Sequence, residues 1–259
     1  MTTEDERTGL PASLATAWGL RERPAKGPKP GLTLDRIVST AVRVAAADGV
    51  GAVSMGRVAK ELGVSPMSLY RYVGAKDELY VLMQEAVMPA PPESPEPGGD
   101  WRDGLSRWAR AQRAVFLDNL WILRIPISGP PASPRSVAWM EQGLAALDGT
   151  GLDEGAKLGV LVLVGGFVRN EAMLMSDLDA AIVAGGRTSA EVMTRYRRTL
   201  TALTDRDSHP AVTRLLDSGV LERPEGGADE DFEFGLGCVL DGVAALIARQ
   251  RGPGAADAS

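Results

Sequence analysis

The chain has 259 residues, 44% of them hydrophobic, and a formal net charge of −6. That apolar fraction excludes wholesale disorder, and the length admits one large domain or a small domain joined to a larger one. No run reaches the roughly 18–20 uninterrupted apolar residues of a membrane span, because the most apolar stretch, 158–168, is short and carries glycines. The chain begins Met1-Thr2-Thr3-Glu4-Asp5-Glu6, acidic where a secretory leader is basic. Its one cysteine, Cys238, has no partner for an internal disulfide. A cytoplasmic protein with no membrane partner is expected.

The net acidity argues against nucleic acid until it is divided along the chain. Residues 1–32 hold five Lys/Arg against four acids, 33–80 six against five, and 81–259 17 against 25. Between 21 and 36, five cations (Arg21, Arg23, Lys26, Lys29, Arg36) stand against two anions. A local basic patch can dock on phosphates while an acidic body is held away from them.

Residues 1–32 begin polar, pass through a short apolar patch at 14–20, and end in a segment whose prolines and glycines forbid a regular helix, so a flexible basic arm is expected. Thr33 has the character of an N-cap, after which Leu34, Ile37, Val38, Ala41, Val42 and Ala45 recur at helical spacing. Asp48-Gly49 ends that helix. Ser54 caps a second, short helix through Leu62, and Gly63 stands where a tight turn needs positive φ. Ser65 caps a third with Pro66 at its first position, where the missing N–H is harmless. A fourth runs from about Ala75 to Met88. Five prolines in Pro89–Gly99 mark a linker. Helical patterning resumes at about 101–118, 135–148, 153–182, 188–205, 209–218 and 229–250, with loops at 126–134 and Gly185-Gly186. Strand-like alternation is absent. The expectation is an all-α chain: an arm at 1–32, a helix-turn-helix domain at 33–88, a linker at 89–100, a larger helical domain at 101–251, and a disordered tail at 252–259.

A helix-turn-helix reads base edges with a helix laid in the major groove. Val58, Ala59 and Leu62 are expected in its small core, with Leu69 and Val73 packed back onto them. That leaves Pro66, Met67, Ser68, Tyr70, Arg71 and Tyr72 on exposed faces. The run Ser54 to Val73, followed by Lys76-Asp77-Glu78-Leu79, resembles the DNA-binding domain of TetR-family repressors. The segment Asp231-Phe232-Glu233-Phe234-Gly235-Leu236 is similar to the last helix of the tetracycline-repressor branch, and the whole resembles actinomycete regulators of antibiotic export.

The resemblance implies a homodimer on double-stranded operator DNA. By position, Ser54, Arg57, Pro66, Met67, Ser68, Tyr70, Arg71, Tyr72 and Lys76 form the DNA-binding set. Hydroxyls of Ser68, Tyr70 and Tyr72, with Lys76, would reach phosphates, and Pro66 and Met67 would lie against thymine methyls. Arg71 is the leading base reader, since a guanidinium can bond guanine O6 and N7 together. Gly56 departs from the family, several of whose members place a base-reading arginine there. Arg21, Arg23, Lys26 and Lys29 are either a minor-groove arm or a solubilising leader.

In the larger domain, Trp108, Gln112, Phe116, Trp121, Arg124, Trp139, Gln142, Phe167, Asn170 and Met173 mix large apolar surfaces with a few polar anchors. Such a mixture suits core packing or a ligand pocket. The resemblance implies a small hydrophobic effector, of aromatic or polyketide type, whose binding releases the operator. The tetracycline branch chelates magnesium partly through histidines; here the one histidine is His209, in an expected loop, so no metal or cofactor is expected. Segments 156–175 and 231–250, with Gly159, Gly165, Gly166, Gly235, Gly237 and Gly242, are the expected dimer helices. No nucleophile-and-base pair, phosphate loop or ligand cluster supports an enzyme. Cys238 is expected packed, and Asp177 and Asp179 on a solvated face. A regulator of a metabolic or stress operon, of either sign, is the alternative.

Overall fold

The computed structural model describes residues 12–20, 32–93, 99–127, 129–222 and 228–251. The arm cations Arg21, Arg23, Lys26 and Lys29, part of the linker, and the tail 252–259 lie outside them. The described residues contain eleven α-helices and no strand.

The first helix was not expected. Residues 12–20, read as part of an arm, contain α1 (Ala12–Ala17). Six residues cannot hold a helix in water alone, so packing stabilises it. Ala15 is buried, and Thr16 Oγ1 donates to Glu78 Oε1 at 3.2 Å. Beyond the helix, Trp18 Nε1 donates to the Ala132 carbonyl at 2.8 Å.

Four helices follow at the expected places. α2 (Leu34–Asp48) starts where the Thr33 hydroxyl accepts the Arg36 N–H at 3.2 Å and stops at Gly49. α3 (Met55–Leu62) starts where Ser54 Oγ accepts the Arg57 N–H at 3.1 Å. It ends at Gly63 with φ 68° and ψ 31°, the left-handed conformation glycine adopts without strain. α4 is shorter than the sequence implies. Only Pro66–Leu69 is α-helical, and Tyr70–Tyr72 continue as turns in which the Tyr72 and Val73 N–H groups both donate to the Leu69 carbonyl. Ser65 is not a side-chain cap either, since its Oγ lies 3.0 Å from Ser68 Oγ. α5 (Lys76–Val87) closes the group. Ile37, Ala41, Val44, Val53, Val58, Ala59, Leu69, Val73, Leu79 and Met83 form the buried core, while Leu62, expected inside, is half-exposed.

The remaining helices are α6 (Trp101–Asp118), α7 (Pro134–Ala145), α8 (Glu154–Ala184), α9 (Ser189–Leu203), α10 (Pro210–Asp217) and α11 (Ala228–Arg251). A 3-10 turn at Leu120–Arg124 follows α6. The chain separates into two compact units, and the boundary is not the linker. One unit runs through Arg169 and includes the chain from Leu246; the other is Asn170–Ala245.

In the first unit, hydrogen bonds bind α5 and the linker to α7. The Arg135 N–H, in the first turn of α7, donates to both Glu85 carboxylate oxygens, at 3.0 and 3.1 Å. A carboxylate at a helix N-terminus satisfies an open donor and opposes the helix dipole. The Trp139 indole donates to the Pro89 carbonyl at 3.0 Å. On its other side α7 meets α8 closely, because a Cβ on Gly143 would stand 2.9 Å from Leu161 Cδ2. In the second unit, Phe232, Leu236, Leu240 and Val243 of α11 are buried. α9 carries a full capping box between Thr188 and Glu191, yet α9 and α10 have no fully buried residue.

Two substitutions test these contacts. Gly143→Val should lower the unfolding free energy by about 1–3 kcal/mol through overpacking against Leu161, read by urea denaturation; wild-type stability would show the approach to be slack. Ala15→Asp should abolish hydrogen-exchange protection at the amides of Trp18 to Leu20 while leaving α2–α5 protected. Unchanged exchange there would mean α1 is not held by this contact.

Candidate nucleic-acid interface and helical core

The α3–α4 face presents its side chains very unequally. Met67 is 74% exposed and Tyr70 49% exposed, and Pro66 and Arg71 are also exposed. Arg71 has no ion-pair partner among the described residues. Its guanidinium is therefore open to a phosphate or a base edge. Ser68 is half-buried beside Ser65. Lys76 is exposed at the first turn of α5, its Nζ 5.2 Å from the centre of the Tyr80 ring.

Three residues of the expected set carry other duties. Tyr72 is half-buried rather than exposed, and its hydroxyl donates to the Leu32 carbonyl at 3.0 Å. A phenol has one proton to give, so this group holds the start of α2 and cannot donate to a phosphate while it does so. Ser54 Oγ is occupied as the cap of α3. Arg57 is latched between Asp48 Oδ2 at 2.8 Å and Glu61 Oε1 at 3.0 Å, and Arg43 joins Glu61 at 3.0 Å. Hydrogen bonds from Arg43 and Arg57 hold the Glu61 carboxyl below the usual carboxylate range, and Glu61, then Asp48, raise Arg57 in turn. The network is exposed and screened, so it orients α3 on α2 more than it stabilises them. Arg71, and not Arg57, is the uncommitted guanidinium of this face.

In the helical core, several of the expected pocket residues are packing elements. Trp108 is buried and its Nε1 donates to the Trp139 carbonyl at 2.8 Å. The two indoles meet edge to face, with ring centres 6.1 Å apart. With both N–H groups bonded to backbone carbonyls, these rings join α6, α7 and the linker. Phe116 is buried and Gln142 and Phe167 are half-buried. Arg124 is exposed, at the outer end of a turn that buries Trp121, Ile122 and Leu123. Asn170 is exposed because Val164, Val168 and Ala172 set the buried stripe of α8, and residue 170 falls opposite it. Met173, in the second unit, is half-buried.

Two polar atoms in this core have no protein partner: Gln112 Oε1 and Trp121 Nε1. Buried polar atoms are nearly always bonded, so such orphans mark places where a ligand or water belongs. Arg169 was missed from sequence. Its Nη2 donates to the Leu123 carbonyl at 2.8 Å, and burial pushes its pKa down. Its helical phase beside Val168 was the available signal. An open cleft of about 520 Å³ lies elsewhere, in the second unit, lined by Arg187, Glu191, Thr194, Arg195 and Arg198.

α8 leaves Leu158, Val162 and Leu163 exposed, with Gly159 and Gly166 on the same side. On α11, Phe234 is 76% exposed, and Cys238, expected to be packed, is exposed in line with it. Gly165 belongs to the interior instead: a Cβ there would lie 3.5 Å from Gln112 Oε1 and Trp108 Cη2. By length and composition α8 could cross a membrane, with a mean hydropathy of 1.5 over its best window, 28% of which is buried. Lys157, Arg169 and Glu171 interrupt it. His209 precedes α10 and faces Asp205 at 3.8 Å. No group of three or more His, Cys, Asp or Glu among the described residues could hold a metal.

Comparison with known proteins agrees with this geometry. Residues 37–83 match the family model for bacterial regulatory proteins of the tetR family, and residues 93–247 match the tetracyclin repressor-like C-terminal domain. The HTH-type transcriptional repressor DrrR1 of Streptomyces coeruleorubidus is 35% identical over 263 aligned positions, covering 98% of this chain and 93% of that protein. The Streptomyces coelicolor TetR family protein ActR, solved in complex with actinorhodin, is 30% identical with a TM-score of 0.71, over 85% of this chain and 99% of that one. ActR in complex with (S)-DNPA is 31% identical with a TM-score of 0.67, over 84% and 99%. The helix-turn-helix with its open Arg71, the helical core behind it and these matches together make the chain a member of the TetR family of transcriptional repressors, and not an enzyme.

Proposed function

We propose that the chain is a cytoplasmic homodimer that represses an antibiotic-export gene. It binds a near-palindromic operator and leaves it when a small, planar, largely apolar effector enters the helical domain. The single observation that carries the DNA-binding part is the α3–α4 face, where Pro66, Met67, Tyr70 and Arg71 are exposed without partners that explain them. Residues 33–88 bind DNA, 101–251 bind effector and partner subunit, and the Pro-rich segment joins them. Arg71 reads a base, Ser68, Tyr70 and Lys76 reach phosphates, and Pro66 and Met67 meet thymine methyls. Similarity to DrrR1 and to ActR with its bound actinorhodin supports the export gene and the aromatic effector.

The exposed apolar faces of α8 and α11 support the homodimer. Isologous pairing buries each face against its symmetry mate and explains an exposed Phe234 that packing among the described residues does not account for. Two-fold symmetry then requires operator half-sites separated by about one helical turn, roughly 34–36 Å or slightly more.

Footprinting on the gene's own upstream region, repeated with candidate metabolites, tests the whole reading. Arg71→Ala should reduce operator affinity by roughly 1–3 kcal/mol and relax one base position; equal losses on operator and random DNA would refute base reading. Val162→Glu should yield a folded monomer by sedimentation, with operator binding lost. A Val162→Glu protein that remains dimeric would remove α8 from the interface.

A further inference from the structure

Glu78 is a carboxylate in the first turn of α5, a few residues after the recognition segment, and it is only 5% exposed. A carboxylate so withdrawn from water is retained only where hydrogen bonds satisfy it. Its two oxygens take partners from two different parts of the chain. Oε2 accepts the Gly74 N–H at 2.6 Å, and Oε1 accepts the Thr16 hydroxyl of α1 at 3.2 Å. The first is a shifted capping contact. A glutamate at the third position of a helix ordinarily reaches back to the N–H of the cap residue, which here is Ala75, and Glu78 reaches one residue further. A Cβ on Gly74 would stand 3.2 Å from the same oxygen, tighter than ordinary van der Waals contact. Gly74 follows the turns that run to Tyr72, and the Tyr72 hydroxyl is itself bonded to Leu32. The trailing end of the recognition segment is therefore fixed at two points.

From Glu78 the contacts continue through α1. Thr16 holds the carboxylate, and two residues on, Trp18 Nε1 donates at 2.8 Å to the carbonyl of Ala132, two residues before α7 begins. The Thr16 bond is partly buried and the Trp18 bond is exposed. Water competes with an exposed bond, so Thr16 carries most of the strength and Trp18 mainly sets direction. Gly74, Glu78, Thr16, Trp18 and Ala132 all belong to the first unit. They form a second route from the recognition segment to α7, separate from the bonds that Glu85 and Pro89 make to that helix.

We propose that Glu78 is a positioning residue for operator binding, and that residues 16–18 are a strap that pins the recognition segment to the start of α7 through it. Glu78 acts through Gly74 and not by touching DNA. This rests on the reading of the chain as an operator-binding homodimer and adds what sets the spacing of its two reading heads. A head pinned to the helical domain is preorganised for one half-site separation. A released head pivots and accepts other separations, with weaker binding to the best one.

The test uses the full-length protein. Wild type first enriches an operator duplex from a random-sequence pool, and that duplex is remade with one or two base pairs added between its half-sites. Affinity across the series is read by fluorescence anisotropy for wild type, Thr16→Val, Thr16→Ser, Trp18→Phe and Glu78→Ala. Thr16→Val should weaken binding to the original duplex about three- to tenfold, and Trp18→Phe by about twofold or more. Both should lose less on the lengthened duplexes, so that the spacing preference flattens. Thr16→Ser, which keeps the hydroxyl, should match wild type, and Glu78→Ala should resemble Thr16→Val. Should Glu78→Ala unfold, the Thr16 and Trp18 variants decide. Wild-type affinity and spacing preference in both Thr16→Val and Trp18→Phe would overturn the proposal. So would a loss equal at every spacing, which marks stability alone, or a Thr16→Ser protein as impaired as Thr16→Val. A Trp18→Phe protein indistinguishable from wild type beside an impaired Thr16→Val would remove the link to α7, and with it the strap. These outcomes leave the operator reading standing, whereas a wild-type protein that enriches no sequence would count against both.

Discussion

Trp139 is the residue on which the arrangement of the first unit turns. A buried indole must satisfy its N–H and a buried carbonyl its lone pairs. Trp139 meets both needs with different elements: its ring donates to Pro89 in the linker, and its carbonyl accepts from Trp108 on α6. The first bond ties the end of the DNA-binding helices to α7, and the second ties α7 to the helical core. Glu85 adds a bond from α5 to the first turn of α7, and Trp18 a bond to the residue preceding that helix by two. Pro89, at the start of the proline-rich segment, is thereby bonded to α7. α7 is thus bonded to α5 on one side and packed closely on α8 at Gly143.

That joint gives a physical sense to the way polar groups are divided. Groups that build the framework are already bonded: Ser54 to its helix, Tyr72 to Leu32, Arg57 to two carboxylates, Trp108 and Trp139 to carbonyls. Among the described residues, groups without partners include those at two places. One is the outer face of α4, with Arg71; the other is the α6–α8 junction, with Gln112 and Trp121. Unsatisfied polarity is expensive in a core and cheap in water, so an exposed arginine without a partner costs little. Buried orphans are a standing penalty in the core.

The helices α8 and α11 show why exposed apolar surface matters here. A 31-residue helix with Val162 69% exposed is poorly explained by packing within one chain. Yet the same helix carries Lys157, held by Asp148 and Glu154 at 2.9 Å each, and Arg169. Those charges fix its two ends of contact within the first unit and leave one apolar side exposed.

What the sequence determined by itself is the part written in local chemistry. Caps at Thr33 and Ser54, the glycine at 63 and Pro66 specify where α2, α3 and α4 begin or end, because these residues act on their own backbone. The 3.6-residue spacing did the same for α6 to α11. Tertiary structure alone decided which side chains are free. Tyr72 and Arg57 look like Tyr70 and Arg71 in sequence, but one pair faces partners 40 and 9 residues away in the chain and the other faces solvent. Tertiary contact likewise made a helix of 12–17, which is too short to form alone, and exposed Arg124, Asn170 and Cys238 while half-burying Arg169. Helical phase and long-range packing set those outcomes, and neither is a property of a residue with its near neighbours.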